Sequence, residues 1–591
     1  MELGSIFQLL PTEIRQEIFK NFDLGTLFNF LRLNRQSCRE IVPILWAEPF
    51  RDAPIMLESK TSSYVQLQKV VNVYAGSFPN STWADLRAYG ISRPRTTRAP
   101  TFNYASFLRI YEPSSIFVAA GAWLKHKTNN PTERQLIRRR ALSIALCRLF
   151  LAEATAIKAV FYDLYEDPEF VRSIFLEVQA KNGLFKNINQ LSLIGITDNN
   201  EDMNFLEGLA ETCHFIRGIT LVMDDLKGNT SKVISNLVSR QNSLQWIRII
   251  FGFLPSLKMI LDSLKYCSDT LRSVEFHDTN LDVFNNENVI NGLFACENLI
   301  CLDFCDCIGL EQQPWVEMAK CFKKLELLRI ILRLTDPIPV PFIKQIIEAS
   351  RNHLQYLQVG FSDLADCYYD DTKYTKEIVD FIRMNPPPNL RGIVLEGLNT
   401  PDALTLLATC KKLEHISLNV LNSQNLFSVL KERVPPTLKS LEIVCPYSGI
   451  NRDSNPNADE EFRDFLDATQ NHLKFLSIHD IEFVNYHINL AVKYRIKMIN
   501  IPASIEKQSI NKVVAVYVLD YNWPYYSNAM LLNVSSLGNK QLEHGRKLIV
   551  ERNLSQNARL KAQNVTSVFV TPTPGIINCT LHVYPESVVL N

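Results

Sequence analysis

The sequence predicts an α/β solenoid: a small N-terminal bundle of three helices, a helical linker, and then a curved array of parallel strands, one per repeat. Three observations carry this prediction. An apolar-x-x-apolar-x-apolar phrase recurs from about residue 157 to residue 478, as in Leu299-Ile300-Cys301-Leu302-Asp303-Phe304. Between phrases the apolar spacing switches from period 2 to period 3.6, as in Val233 to Val238, Leu257 to Tyr266, Phe342 to Ala349 and Phe462 to Thr469. The first fifty residues differ in character, with three short apolar clusters broken by polar residues and prolines.

The totals set outer limits. At 591 residues the chain holds several domains or one long array. Lys plus Arg equals Asp plus Glu at 62 each, so no overall field draws the chain to nucleic acid or to an anionic membrane. Met1 to Leu10 lacks a basic segment and runs into Pro11, Glu13 and Arg15, unlike a signal peptide. Ala141 to Leu164 is apolar but interrupted by Arg148, Glu153 and Lys158, which excludes a membrane span. Thirteen irregularly spaced cysteines fit reduced thiols better than a disulfide framework. A soluble chain of the cytoplasm, the nucleus or both is expected.

Residues 3–50 come first. Leu10-Pro11-Thr12-Glu13-Ile14 starts a helix, with Pro11 suited to a first-turn position that needs no backbone N–H. Ile14, Ile18, Phe19 and Phe22 fall on one face. Leu27, Phe28, Phe30, Leu31 and Leu33 form a second cluster, and Ile41, Val42, Ile44, Leu45 and Trp46 a third. A bundle this small is marginal alone, so part of its apolar surface should meet a partner. Leu10-Pro11-x-Glu13-Ile14, Ile18-Phe19, Leu33-Asn34-Arg35 and Pro43-Ile44-Leu45-Trp46 with Pro49-Phe50 resemble an F-box of the kind found in fungal families. Ser37 and Cys38 stand where many F-boxes carry a Trp. The resemblance implies docking onto a Skp-type adaptor, and through it onto a cullin ubiquitin ligase. Leu10, Pro11, Ile14, Ile18 and Phe19 match the adaptor-facing segment. The plainer alternative is a helical cap for the repeats.

Residues 51–150 read as the helical linker. Helices are expected over Ser63 to Tyr74, Trp83 to Tyr89 and Thr132 to Ala154, with a basic loop at Ser92 to Pro100 and Arg138-Arg139-Arg140 on a charged helix face. From residue 151 to 502 the repeat takes over. Its first positions, Ile188, Ile216, Leu244, Leu271, Leu299, Leu325 and Leu354, lie about 26–29 residues apart, and less even copies follow to Leu473. This phrase and period are those of a leucine-rich repeat. The resemblance implies a solenoid with a parallel sheet on its concave face. Each copy buries three side chains for roughly 1.5–3 kcal/mol apiece, far less than the ordering of its backbone costs at roughly 1.5 kcal/mol per residue, so copies must stack to fold. Residues 503–591 lose the pattern: Val513 to Leu519 is β-rich and Asn539 to Lys561 is polar and helical in character, with no role assigned.

Nothing in the chain marks an enzyme. No phosphate-binding Gly-rich loop, His-Glu-x-x-His or Gly-x-Ser-x-Gly occurs, and Cys296, Cys301, Cys305 and Cys307 do not match paired zinc spacings, with Cys307 at the Asn/Cys position of the repeat. No cofactor or metal is expected. Strand alternation places Trp246, Arg248, Glu275, His277, Asp303, Arg329, Tyr356 and His415 on the outward, concave face. This mixed set, rich in Trp, Tyr and Arg, suits a protein or degron peptide rather than nucleic acid. The expected function is a non-catalytic substrate receptor of a Skp/cullin/F-box ligase. The alternatives are a leucine-rich scaffold without ligase linkage and an F-box protein that recruits nothing for degradation.

Overall fold

A computed structural model describes residues 10–22, 24–50, 62–94, 100–125, 132–165, 167–179, 185–223, 228–251, 256–281, 291–333, 336–361, 372–395, 398, 400–419, 426–444, 458–479, 497–501, 565–571 and 580–585. The chain divides into two compact units, residues 1–243 and 244–591. In both, parallel strands follow one another in chain order and alternate with helices, a solenoid-like α/β repeat. No helix among the described residues is long and apolar enough to cross a membrane.

The first unit opens with helices α1 (Thr12–Lys20), α2 (Leu24–Leu31) and α3 (Arg35–Leu45). Pro11 occupies the N-cap, one position outside the first turn where the sequence suggested it, and its side chain accepts no cap bond. Asn34 caps α3 by accepting from the Ser37 N–H, the role its short polar side chain suits. Phe19, Leu27 and Ile41, one from each helix, form the bundle core, with Phe22 and Phe30 edging it. Trp46 and Phe50 leave the bundle and pack on Tyr74, with Phe150 completing the group. Tyr74 lies on α4 (Ser62–Ala75) and Phe150 on α7 (Glu133–Glu153). Between these two helices run α5 (Asn80–Ala88) and α6 (Pro113–Trp123).

The parallel sheet begins earlier than residue 151. Strand β1 (Ile110–Tyr111) already pairs with β2 (Ala159–Asp163), which is followed by β3 (Gln190–Ile194) and β4 (Gly218–Val222). α6 is buried along every residue from Pro113 to Ala122. The three consecutive arginines of α7 are not a solvated face. Arg139 is buried, stacks on the Phe117 ring at 3.7 Å and donates to the Phe117 carbonyl, while Arg140 pairs with Asp167. Helices α8 (Pro168–Gln179), α9 (Asn200–Thr212) and α10 (Gly228–Ser239) alternate with the strands. Asp202 on α9 is fully buried and accepts from Tyr162, Arg172 and Thr197, so it ties two repeats together.

The second unit holds β5 (Trp246–Ile250), β6 (Ser273–His277), β7 (Cys301–Cys305), β8 (Leu327–Leu332), β9 (Tyr356–Phe361), β10 (Gly392–Leu395), β11 (His415–Asn419), β12 (Ser440–Val444), β13 (Phe475–His479) and β14 (Lys497–Ile501). All are parallel and in register, so equivalent repeat positions lie side by side. The phrase residues point inward as its pattern requires. Leu244, Ile247 and Ile249, Leu271, Val274 and Phe276, Leu299, Leu302 and Phe304, and Leu325, Leu328 and Ile330 are all fully buried. Phe276 and Phe304 stack at 5.4 Å, and Trp315 meets both rings edge-on. A left-handed residue follows the strand in three successive repeats, at Phe251, Asp278 and Asp306, where the chain turns away from the sheet. Cys307 sits just beyond, its thiol donating to the Phe276 and Cys305 carbonyls, which is the structural place the repeat assigns it. A two-stranded antiparallel ribbon, β15 (Val565–Thr571) with β16 (Thr580–Pro585), lies near the C-terminus. The stretches at 513–519 and 539–561 lie outside the described residues, as do Arg95 and Arg98 of the basic loop.

Candidate functional site

Register turns the fifth position of each phrase into a row. Arg248 on β5 lies opposite Glu275 on β6, Glu275 opposite Asp303 on β7, and Asp303 opposite Arg329 on β8. The row therefore reads plus, minus, minus, plus. Arg248 Nε donates to Glu275 Oε2 at 2.6 Å, and Arg329 Nη1 donates to Asp303 Oδ2 at 3.0 Å. His277, two residues along β6 on the same face, places Nε2 3.8 Å from Glu275 Oε2, beyond hydrogen-bond length.

These five residues are not displayed to solvent as the alternation rule alone suggested. Glu275 is 1% exposed, Asp303 4%, Arg248 and His277 7%, and Arg329 8%. Alternation decides which face of the sheet a side chain occupies, not whether that face is covered. At this depth a charge must be paired, and the two arginines supply the pairing. Burial opposes the Glu275 charge more than any other single influence, but Arg248 and His277 together outweigh it and hold the carboxyl below its ordinary range. For Asp303 burial wins, and its carboxyl lies above the ordinary range although Arg329 is its partner. Two adjacent carboxylates thus differ in proton affinity because their surroundings differ.

The remaining members of the set form a second group. Trp246, Tyr356 and His415 are half-buried. Tyr356 and His415 sit on strands separated by β10, yet their rings approach to 6.5 Å. Gly392 on the intervening strand makes this contact feasible, because a Cβ there would come within 2.5 Å of the Tyr356 ring. Burial lowers the His415 pKa to about 4, so the ring is neutral at pH 7. The cysteines do not add a reactive site. Cys296, Cys301, Cys305 and Cys307 are buried free thiols, and burial pushes Cys296 up to about 12 and Cys305 and Cys307 upward as well, away from the thiolate that reactivity needs.

In the N-terminal bundle the five residues matched to an adaptor-facing segment separate. Pro11 and Ile14 are exposed, Leu10 and Ile18 are half-buried, and Phe19 is fully buried in the core. Phe19 is therefore a packing residue, unavailable to a partner. Among the described residues, the large exposed apolar side chains of the bundle are Ile14 at 48%, Phe28 at 56% and Leu33 at 66%; the last two belong to the second apolar cluster, which sequence reading left undivided between core and surface. Helical spacing separates Phe28 from buried Leu27 and was the available signal. Arg15 and Glu40 join α1 to α3 through two bonds of 2.5 and 2.9 Å, and Arg15 holds the Glu40 carboxyl below its ordinary range. No protein-family model matches this chain, and no curated protein matches it either.

Proposed function

We propose that this chain is a non-catalytic substrate receptor of a Skp/cullin/F-box ubiquitin ligase, with the three-helix bundle as its F-box. The observation that carries the reading is the bundle surface. Ile14, Phe28 and Leu33 are large, apolar and exposed on a unit whose small core is centred on Phe19, Leu27 and Ile41 with a rim of half-buried neighbours, and such surface favours a partner. The bundle is anchored rather than loose, since the Arg109 N–H donates to the Ala47 carbonyl and Arg109 itself leads into strand β1. A receptor built this way works by proximity: the bundle holds the adaptor while the repeats hold a target protein, raising its effective concentration near a ubiquitin-charged enzyme. Trp246, Tyr356 and His415 are the half-buried residues of the repeat face offered to that target.

The test is co-precipitation of the full-length chain with a Skp-type adaptor, comparing wild type with Ile14→Asp and Phe28→Asp. Wild-type binding and its loss in both variants, with unchanged far-UV circular dichroism, is the expected result; a wild type that binds no adaptor overturns the ligase reading. A second reading, a repeat scaffold with a helical cap and no ligase linkage, draws on Phe19, which the resemblance assigns to the adaptor and which the core consumes. The same wild-type experiment separates the two.

A further inference from the structure

The paired row leaves three atoms over. Arg248 occupies Oε2 of Glu275 and Arg329 occupies Oδ2 of Asp303. The other carboxylate oxygens, Glu275 Oε1 and Asp303 Oδ1, are buried without a hydrogen-bond partner, and so is His277 Nε2. All three side chains are more than nine-tenths buried. Ligand atoms from the three residues lie within 4.8 Å of one another. Ionised carboxylate oxygens only accept, and a neutral imidazole with its proton on Nδ1 presents a lone pair at Nε2. In that protonation state the three atoms cannot satisfy one another. A cation between them satisfies all three.

We propose that Glu275, His277 and Asp303 form a binding site for a divalent transition-metal ion of the zinc class. One imidazole with two carboxylates is a ligand set suited to zinc and its neighbours, whereas calcium and magnesium favour oxygen alone. Zinc bonds of roughly 2.0–2.2 Å put tetrahedral ligand atoms about 3.3 Å apart. The widest edge of the triangle therefore contracts by no more than about 1.5 Å, a movement within reach of rotations about the Glu275 and Asp303 side chains. Three protein ligands leave a fourth position open. Arg248 and Arg329 act as the outer partners that fix which oxygen of each carboxylate turns inward. They also offset the two carboxylate charges, so the ion favours hydroxide or another anionic group at its open position. The group contains no thiol, although Cys305 lies opposite His277 in the sheet register, and the site is independent of the adaptor reading.

The experiment uses the full-length chain, stripped with a chelator and titrated with Zn²⁺, with bound metal measured per chain after gel filtration. One zinc per wild-type chain is expected, with a rise in Tm on binding. His277→Gln should weaken binding by at least about 100-fold, more than the roughly 10–100-fold typical of an outer partner, and Asp303→Asn should behave alike. His353→Gln, at an exposed turn before β9, should bind as wild type does. A wild-type chain that takes up no zinc overturns the site, as does undiminished binding by His277→Gln. Should that variant fail to fold, Co²⁺ substitution in the wild type decides: d–d bands without thiolate charge transfer support the site, and a thiolate charge-transfer band overturns it by assigning the metal to cysteine.

Discussion

Replacing Arg248 with methionine is the sharpest test of the charged row. The substitution keeps length and volume but strands the Glu275 carboxylate, which is 1% exposed and takes its shortest bond, 2.6 Å, from Arg248. A stranded carboxylate escapes burial by taking a proton, which caps the penalty. From an ordinary pKa of about 4.3, protonation at pH 7 costs about 1.36 kcal/mol for each of about 2.7 pH units, or about 3.7 kcal/mol. This agrees with the roughly 3–5 kcal/mol expected for breaking a buried pair. The sign follows from linkage: the folded variant holds a proton that the unfolded chain releases above about pH 4.3, so the penalty grows with pH. At pH 5 it falls to about 1 kcal/mol. Hydrogen exchange of peptides covering residues 246–305 reads this locally, without assuming that both units unfold together. The double variant Arg248→Met/Glu275→Leu should recover most of the loss, since an apolar pair replaces a buried ion pair at little cost. A penalty under about 1 kcal/mol at pH 7 that does not change at pH 5 would refute the reasoning, because the carboxylate would then be finding water.

Two further predictions concern packing and titration. Glu112 is buried beside Asp163, and burial first, then the Asp163 charge, pushes its pKa up to about 8. A raised carboxyl favours the folded state fully below its unfolded pKa and loses that advantage as pH rises toward about 8. Urea unfolding of the wild type should therefore weaken between pH 5 and 8, by up to about 1.4 kcal/mol per pH unit, and Glu112→Gln should flatten the slope; parallel slopes would show that Glu112 is already ionised. Gly292 lies so close to the preceding repeat that an added Cβ would come within 2.0 Å of the Leu261 carbonyl. Gly292→Ala should cost roughly 1–3 kcal/mol or more, read as a lower urea midpoint, and an unchanged midpoint would mean that the two repeats separate freely.

Much of this architecture is written in the phrase itself. Leu299, Leu302 and Phe304 announce their burial by spacing, and a period of about 26–29 residues leaves little but a stacked array. Residues 51–150 were less legible because α6 is apolar on all sides. A helix buried all round has no amphipathic period to detect, and the two-residue β1 is too short to alternate. Arg139 misled for a tertiary reason: its place depends on the Phe117 ring and on Gly121, where a Cβ would press within 2.8 Å of the guanidinium. In the candidate site the residues were legible but their pairing was not. Reading along each strand gives a list of outward side chains, whereas reading across repeats at Arg248, Glu275, Asp303 and Arg329 reveals two ion pairs set carboxylate to carboxylate. Whether that face is covered depends on packing that no single repeat encodes.

The order of charge across β5 to β8 also bears on how such a chain can change over evolutionary time. Repeat arrays ordinarily grow and shrink by whole units, because each unit touches only its neighbours. Here the units are not interchangeable. Excising the repeat that carries Arg248 would leave Glu275 and Asp303 sharing Arg329 alone, and duplicating the one that carries Asp303 would bury a third carboxylate among two arginines. Either event strands a charge in the interior, so the four repeats of this block are costly to separate.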